Sequence, residues 1–146
     1  MKSRDYCYLA GSMESVSEQY MKEWRSQATA MLAEKGIDTL DPTRRVSFHD
    51  QIGKLEEVQR NMNICRRIYK MDLQDIAYSR VVLADVRRSS GKGTGTAMEL
   101  QHAHHKHKII VLWADEDDYP HPFFEAIYTE KHFSLEDAIN AIKSYY

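Results

Sequence analysis

The chain has 146 residues, of which 42% are hydrophobic and 29% are charged, and its formal net charge is -2. This length and composition are typical of a globular protein with one core, and they exclude disordered and fibrous classes. The small net charge predicts no general attraction to nucleic acid or to an anionic membrane, so small-molecule ligands are favoured. We interpret residues 1–146 as a single domain.

The two cysteines, Cys7 and Cys65, are too few for a disulfide scaffold and are not spaced as metal ligands. The first residues lead into a short apolar run without a signal-peptide core. The sequence contains no stretch that is long and apolar enough to span a bilayer. These features predict a soluble protein in the reducing cytoplasm.

Short apolar runs, continuous rather than alternating, predict strands that are buried on both faces of a parallel sheet. In chain order these runs are residues 6–10, 81–84 and Ile109–Trp113. Residues 37–40 predict a further strand, and another is expected near residues 127–133.

Helical patterns separate the apolar runs. Ser15 and Glu18 are spaced as a capping box at the start of a helix that Gly36 ends. Another helix is expected over residues 97–105, and Ser134 is expected to cap the last one. The middle helix is predicted by an apolar stripe through Cys65, Ile68, Tyr69, Leu73 and Ile76.

This alternation predicts an α/β fold, a doubly wound, flavodoxin- or Rossmann-like parallel sheet of about four or five strands with helices on both faces. The expected strand order is 2-1-3-4 with a possible fifth strand. Ligands of such sheets bind beyond the carboxyl ends of the strands, near the point where the strand order reverses. The candidates there are Gly11 and Ser12 after the first strand, Asp41 after the second and Asp85 after the third.

Glycines alternate with polar residues in the loop that follows Asp85. Glycine lets the backbone approach a ligand closely, and amides at a helix start attract anions, so the loop predicts a site for a phosphate or a sugar hydroxyl. The spacing fits neither a Walker A loop nor a dinucleotide fingerprint. The candidate binding residues in this loop are Gly93, Thr94, Gly95 and Thr96.

Glu99 has two interpretations. With Thr96 it forms the spacing of a capping box, in which Glu99 satisfies an amide at the helix start. Alternatively, it is a carboxylate nucleophile that faces a ligand from the end of the glycine-rich loop, kept ionised by the helix N-terminus.

Asp72 is an acid on an apolar helix face, because it lies four residues from both Ile68 and Ile76. Facing the sheet, it could protonate a leaving group or bind an amino group of a base. In the other interpretation it lies at the edge of the stripe and reaches solvent or one of Arg66, Arg67 and Arg80. Asp75 is interpreted as a solvent-edge residue. Two acids with different ionisation are what glycosyl transfer requires.

Three motifs occur in order: YLAGS at residues 8–12, DLQDI at residues 72–76, and VLAD at residues 82–85 followed by GTGTAMEL at residues 93–100. Together they resemble the nucleoside 2-deoxyribosyltransferase family, which includes deoxynucleoside 5'-monophosphate N-glycosidases and pyrimidine-nucleotide hydrolases. The resemblance implies that Glu99 is a nucleophile forming a glycosyl ester, that Asp72 assists protonation of the base, and that Tyr8 orients Glu99.

The resemblance also implies that Gly11, Ser12 and residues 93–96 hold the sugar and its 5' group, and that Asp85 binds a hydroxyl or orders the loop. It implies a homodimer or higher homo-oligomer in which a neighbour completes each site, and residues 121–123 could contribute there. It further implies a substrate that is a nucleoside or its 5'-monophosphate, whose sugar passes to another base or to water. The alternatives are a non-catalytic nucleotide-binding or signalling module and an NAD-type nucleotide glycohydrolase.

The chain departs from the family pattern where a 5'-phosphate would bind. Met13 stands where some phosphate-preferring relatives carry a basic residue, and Gly93 stands where some carry a polar side chain. Lys92 or Arg25 could substitute. No cofactor is implied, and we expect no metal, because the histidines at residues 102–107 and the acids at residues 115–118 are interpreted as solvated.

Overall fold

The computed structural model of the protein describes residues 6–13, 16–45, 62–90, 93–119 and 121–146. Within these ranges the strands form one parallel sheet. The strands are β1 (Tyr6–Gly11), β2 (Asp38–Leu40), β3 (Val81–Asp85), β4 (Ile109–Trp113) and β5 (Glu130–His132). Their order is β2-β1-β3-β4-β5, which confirms the predicted doubly wound α/β fold.

The helices follow the strands in the expected alternation. They are α1 (Glu18–Ala33), α2 (Met62–Tyr78), α3 (Thr94–His105), α4 (Pro122–Ile127) and α5 (Leu135–Lys143). Short 3-10 turns span Pro42–Arg45 and Arg88–Ser90. None of the helices in the described ranges is both long and apolar enough to cross a membrane.

Serine side chains start two of these helices. Ser134 caps α5 as predicted, since its hydroxyl accepts a hydrogen bond from the Asp137 amide at 3.0 Å. The α1 cap is Ser17, whose hydroxyl accepts from the Tyr20 amide at 3.1 Å. The predicted cap, Ser15, is therefore wrong by two residues, and it lies outside the described residues.

Side chains of the central strands alternate between two cores. Cys7 and Leu9 of β1 pack with α1 and α5, whereas Tyr8 and Ala10 pack with Ile76 of α2 and with α3. Both faces of the sheet are covered, which is why the strands appear as continuous apolar runs in the sequence.

Helix α2 differs from its predicted stripe. Tyr69 is 40% exposed, and the buried residues are Asp72, Asp75 and Ile76 near the carboxyl end of the helix. The interpretation of Asp75 as a solvent-edge residue is wrong, because its side chain shares the face of Asp72 one turn away. Two carboxylic acids of the carboxyl-terminal half of α2 are therefore buried.

Candidate active site

The carboxyl ends of β1 and β3 lie side by side, with Gly11 opposite Asp85. The chain leaves β1 toward β2 on one side of the sheet, while β3 and β4 lie on the other. The strand order therefore reverses here, which is where open α/β sheets bind ligands.

Tyr8 of β1 and Glu99 of α3 meet on the side of the sheet that α2 and α3 cover. Tyr8 is fully buried on β1 and faces the layer of α2 and α3. Its hydroxyl donates a hydrogen bond to Oε2 of Glu99, which lies in the second turn of α3. Burial raises the pKa of Tyr8 well above its usual range, so the phenol stays protonated and serves as the donor.

Asp72 lies in the same cluster. It is only 8% exposed, and its charge raises the pKa of both Tyr8 and Glu99. The structure thus brings together the three residues that the sequence singled out for chemistry. Asp75 joins them, since its charge also raises the pKa of Glu99. Its three-residue spacing from Asp72 was the signal that could have identified it.

Burial dominates the ionisation of Glu99 and raises its pKa to about 8. The Tyr8 hydrogen bond and the positive charge of Arg25 oppose this rise, while Asp72 and Asp75 add to it. The expectation that the helix N-terminus keeps Glu99 ionised is not met. The influence of a helix N-terminus falls off within the first turn, and Glu99 lies in the second.

The capping-box interpretation of Glu99 is wrong. Helix α3 begins at Thr94, three residues before its predicted start, and its N-cap is Gly93, which provides no side-chain hydrogen bond. Thr96 therefore lies inside the helix, where it cannot act as the cap. The Glu99 carboxylate accepts from Tyr8 instead.

The predicted binding residues at the start of α3 differ in their exposure. Thr94 and Gly95 are exposed, whereas Thr96 is buried. The Thr96 hydroxyl has no hydrogen-bond partner within the described ranges. Its Oγ1 would lie 3.8 Å from a Cβ added to Gly93, so the hydroxyl is close to the residue that caps α3. Lys92 lies outside the described residues.

Arg25 is a buried cation at the end of β1, where the sequence indicated only a substitute phosphate ligand. Its side chain has no exposed surface, which contradicts a direct contact with a substrate phosphate. A Cβ on Gly11 would lie 2.9 Å from Cζ2 of Trp24 and 3.2 Å from Nη2 of Arg25. Gly11 therefore makes room for these two side chains. The position of Arg25 on the buried face of α1, with Ala28 and Leu32, was the signal that could have identified it.

The segment after β2 contacts side chains of both α1 and α2. Asp41 Oδ1 accepts hydrogen bonds from the Thr43 amide at 2.8 Å and from the Thr43 hydroxyl at 2.6 Å, and it lies 3.7 Å from Nε of Arg25. Arg44 forms a 2.7 Å ion pair with Asp75 of α2. Ser12 is buried at the end of β1.

Asp85 has partners within the protein for both carboxylate oxygens. Tyr20 donates to Oδ2 at 2.8 Å, and Nε of Arg87 donates to Oδ1 at 2.9 Å. The Arg87 guanidinium also lies 3.3 Å from the centroid of the Trp113 ring. These contacts favour the role of ordering the loop after β3 over that of binding a sugar hydroxyl.

The fold defines a doubly wound α/β protein in which Tyr8, Glu99 and Asp72 interact on one side of the sheet. A family model described as nucleoside 2-deoxyribosyltransferase matches residues 7–138. The chain belongs to this family, as the motifs had indicated. Its members are deoxyribosyltransferases and related N-glycosidases that act on small-molecule nucleosides or nucleotides.

Solved structures share the fold. A 2-deoxyribosyltransferase from Bacillus psychrosaccharolyticus superimposes with a TM-score of 0.70 at 19% identity, over 92% of this chain and 90% of its own. A 2-deoxyribosyltransferase from Leishmania mexicana gives 0.62 at 17% identity, over 96% and 97%. The CMP N-glycosidase of Clostridium botulinum gives 0.56 at 14% identity, over 94% and 97%. A sequence search of curated proteins gave no significant match.

Proposed function

We propose that this protein cleaves the N-glycosidic bond of a nucleoside or nucleoside 5'-monophosphate through a covalent glycosyl-Glu99 ester. The sugar then passes to a second base or to water. The observation that carries this proposal is the hydrogen bond from Tyr8 of β1 to Glu99 of α3, together with the buried Asp72, whose charge acts on both side chains. Family membership supports the reaction class.

In the first step, an ionised Glu99 oxygen attacks the anomeric carbon of the sugar. A carbon–oxygen bond forms, the carbon–nitrogen bond to the base breaks, and its electron pair goes to the base nitrogen. Asp72 assists the departure of the base by supplying a proton or a hydrogen bond to it. Tyr8 fixes the direction of Glu99 by its hydrogen bond.

In the second step, a base nitrogen or a water oxygen attacks the anomeric carbon, and the Glu99 carboxylate leaves with the electron pair of the ester bond. The proton of the attacking group goes to Asp72 or to solvent. Exclusion of water from the crevice determines whether transfer or hydrolysis dominates.

We further propose that the protein acts as a homodimer or higher homo-oligomer. Large apolar side chains lie exposed near α4, with Tyr119 87% and Phe123 75% accessible. Exposed aromatic side chains are of the kind that protein–protein interfaces bury. Light scattering coupled to size-exclusion chromatography tests this expectation, and a strict monomer at assay concentrations contradicts it.

The test of function incubates the protein with deoxynucleosides, ribonucleosides and their 5'-monophosphates, with and without an acceptor base. Chromatography measures base release and base exchange. Glu99→Gln removes the nucleophile and is expected to reduce turnover by a factor of about 10³ or more. The matched control is Glu136→Gln, the same substitution at an exposed position of α5, which should leave turnover unchanged.

Base release that persists undiminished in Glu99→Gln contradicts the assignment of the nucleophile. Binding of nucleotides without turnover across the panel favours the non-catalytic binding module instead. Release of nicotinamide from an NAD-type nucleotide, with no activity on nucleosides or their monophosphates, favours the glycohydrolase alternative.

A further inference from the structure

Asp85 is a buried carboxylate at the end of β3, and both of its oxygens accept hydrogen bonds. Arg87 donates to Oδ1 from its amide at 3.1 Å and from Nε at 2.9 Å, and to Oδ2 from Nη2 at 3.1 Å. Tyr20 of α1 donates to Oδ2 at 2.8 Å. The side chain of Asp85 has no exposed surface, so this two-point pair with a guanidinium is sheltered from solvent and specific for arginine.

The guanidinium of Arg87 also contacts two aromatic rings. Its Cζ lies 3.3 Å from the centroid of the Trp113 ring at the end of β4, and 5.5 Å from the centroid of the Tyr20 ring. Its Nη2 donates to the Tyr20 hydroxyl at 3.0 Å. Stacking on an aromatic face stabilises a cation that is partly removed from water. Arg87 therefore joins β3, β4 and α1.

The short 3-10 turn Arg88–Ser90 is attached to Arg87 and to the loop after β4. The amide and the hydroxyl of Ser90 donate to the Arg87 carbonyl at 2.9 and 2.7 Å. The Arg88 amide donates to the Asp115 carboxylate at 2.8 Å. The side chain of Arg88 is 59% exposed, so its ion pairs stabilise the turn less than the sheltered contacts of Arg87 do.

The start of α3 depends on this turn. The N-cap of α3 is Gly93, which has no side chain with which to cap the helix. The Thr96 hydroxyl in the first turn has no hydrogen-bond partner within the described ranges. Two residues separate Ser90 from Gly93, so the turn and the helix start are at most about 11 Å apart along an extended chain.

The turn links contacts on one side of the sheet to a helix on the other. Tyr20 and Trp113 pack with the core that α1 and α5 cover, whereas α3 packs with the core on the opposite side. Glu99 lies on α3, five residues after the first residue of this helix. A change in the position of the helix start therefore moves Glu99 relative to its partner Tyr8.

We propose that Arg87 is a positioning residue, which fixes the start of α3 and thereby the placement of Glu99 toward the substrate. This inference rests on the proposed function, because the placement of Glu99 matters for turnover only if Glu99 reacts. A displacement of about 1 Å at a reacting group is enough to lower turnover about 10²-fold. A single arginine outside the site can therefore control the rate without touching the substrate.

Two substitutions at Arg87 separate its charge from its geometry. Arg87→Met removes the charge, the pair with Asp85 and the planar stacking on Trp113. Arg87→Lys keeps the charge but cannot form the two-point pair or stack in the same way. If Arg87→Met does not fold, Tyr20→Phe replaces it, because that change removes one donor to Asp85 and keeps the ring. Circular dichroism establishes which variants are folded.

The matched control is Arg80→Met. Arg80 precedes β3 at the opposite edge of the sheet, where its side chain donates to the Tyr145 carbonyl and lies 4.7 Å from the centroid of the Tyr146 ring. This substitution also removes an arginine that stacks on an aromatic ring, but far from the start of α3. Urea denaturation measures how much overall stability each variant loses.

The direct readout is hydrogen exchange of the amides of residues 97–101, whose first member donates to the Gly93 carbonyl at 2.7 Å. In Arg87→Met these amides should exchange about tenfold faster or more, and the increase should exceed that of the α5 amides. Arg80→Met should leave them unchanged. In Arg87→Met, kcat for base release should fall about tenfold or more while KM changes less than about threefold. Arg87→Lys should show most of both effects.

Unchanged exchange of residues 97–101 in Arg87→Met overturns the proposal, and so does an equal increase in Arg87→Met and Arg80→Met. Faster exchange confined to the start of α3, in a protein that releases no base from any substrate, supports the role of Arg87 in fixing α3 and contradicts the proposed function. Normal wild-type turnover with an unchanged kcat in every folded Arg87 variant supports the function and overturns the positioning role of Arg87.

Discussion

The hydroxyl of Tyr8 on β1 donates a hydrogen bond to Oε2 of Glu99 on α3, joining the sheet to the helix that follows the glycine-rich loop. A phenol that donates to a carboxylate favours its ionised form. The pair thus couples the orientation of Glu99 to its protonation.

Tyr8→Phe removes the donor and leaves the aromatic packing in place. We expect the pKa of Glu99 to rise above about 8, because the hydrogen bond that lowers it is lost. The rise of kcat/KM with pH should then move to higher pH by about one unit. The matched control is Tyr145→Phe, which removes a similar hydrogen bond to Glu130 elsewhere in the molecule. An unshifted profile in Tyr8→Phe contradicts the coupling.

Glu99→Gln should change how stability depends on pH. The pKa of Glu99 is about 8 in the folded protein against an ordinary value of 4.5, so the folded state holds the proton more tightly. The stabilisation from this group is full below about pH 4.5 and is lost as the pH rises through about 8.

Glu99→Gln has no buried negative charge at high pH, and its amide oxygen can still accept a hydrogen bond from Tyr8. Relative to the wild type, Glu99→Gln should therefore gain roughly 2–4 kcal/mol in free energy of unfolding between about pH 5 and pH 9. Urea denaturation at several pH values measures this difference. A difference that stays constant across this range shows that burial does not perturb Glu99.

Asp75 and Arg44 should have opposite effects on Glu99. Asp75→Asn removes a charge that raises the pKa of Glu99, so the pH profile should shift to lower pH. Arg44→Met leaves the Asp75 charge without its 2.7 Å partner, so the profile should shift to higher pH. Steady-state kinetics across pH measures both shifts, and two shifts of the same sign are inconsistent with a charge effect.

Gly11→Ala should destabilise the protein by about 1–3 kcal/mol, because its Cβ would lie 2.9 Å from Trp24 and 3.2 Å from Arg25. Gly95→Ala is the matched control, since no atom lies within 4 Å of the added Cβ on this helical residue. It should stabilise by up to about 1 kcal/mol. Thermal unfolding compares the two, and equal effects contradict the close packing at Gly11.

The sheet could be predicted from the sequence because buried parallel strands leave continuous apolar runs. Ile109–Trp113 has the predicted bounds, and the strand predicted near residues 127–133 is β5. Ser134 was identifiable because a cap depends on residues three positions apart. Local patterns of this kind need no knowledge of distant partners.

The charged part of the site was only partly predictable. Asp72 was identifiable because it interrupts an apolar stripe. The burial of Asp75 depends on Arg44, which lies 31 residues away in the chain, and that of Arg25 depends on carbonyls of β1. Helical spacing can place such a residue on a buried face, but it cannot identify the partners from other elements that allow a charge to be buried there. The start of α3 was misplaced because glycine and threonine resemble a loop in sequence, although Thr94 begins the helix.

The central claim is the covalent intermediate on Glu99. The most direct measurement uses a slow 2-fluoro nucleoside substrate, rapid acid quenching, and mass spectrometry of the intact protein and its peptides. We expect one glycosyl group per chain, located on the peptide that contains Glu99 and absent from Glu99→Gln. Base release without any adduct, or an adduct that persists in Glu99→Gln, would contradict the proposed mechanism.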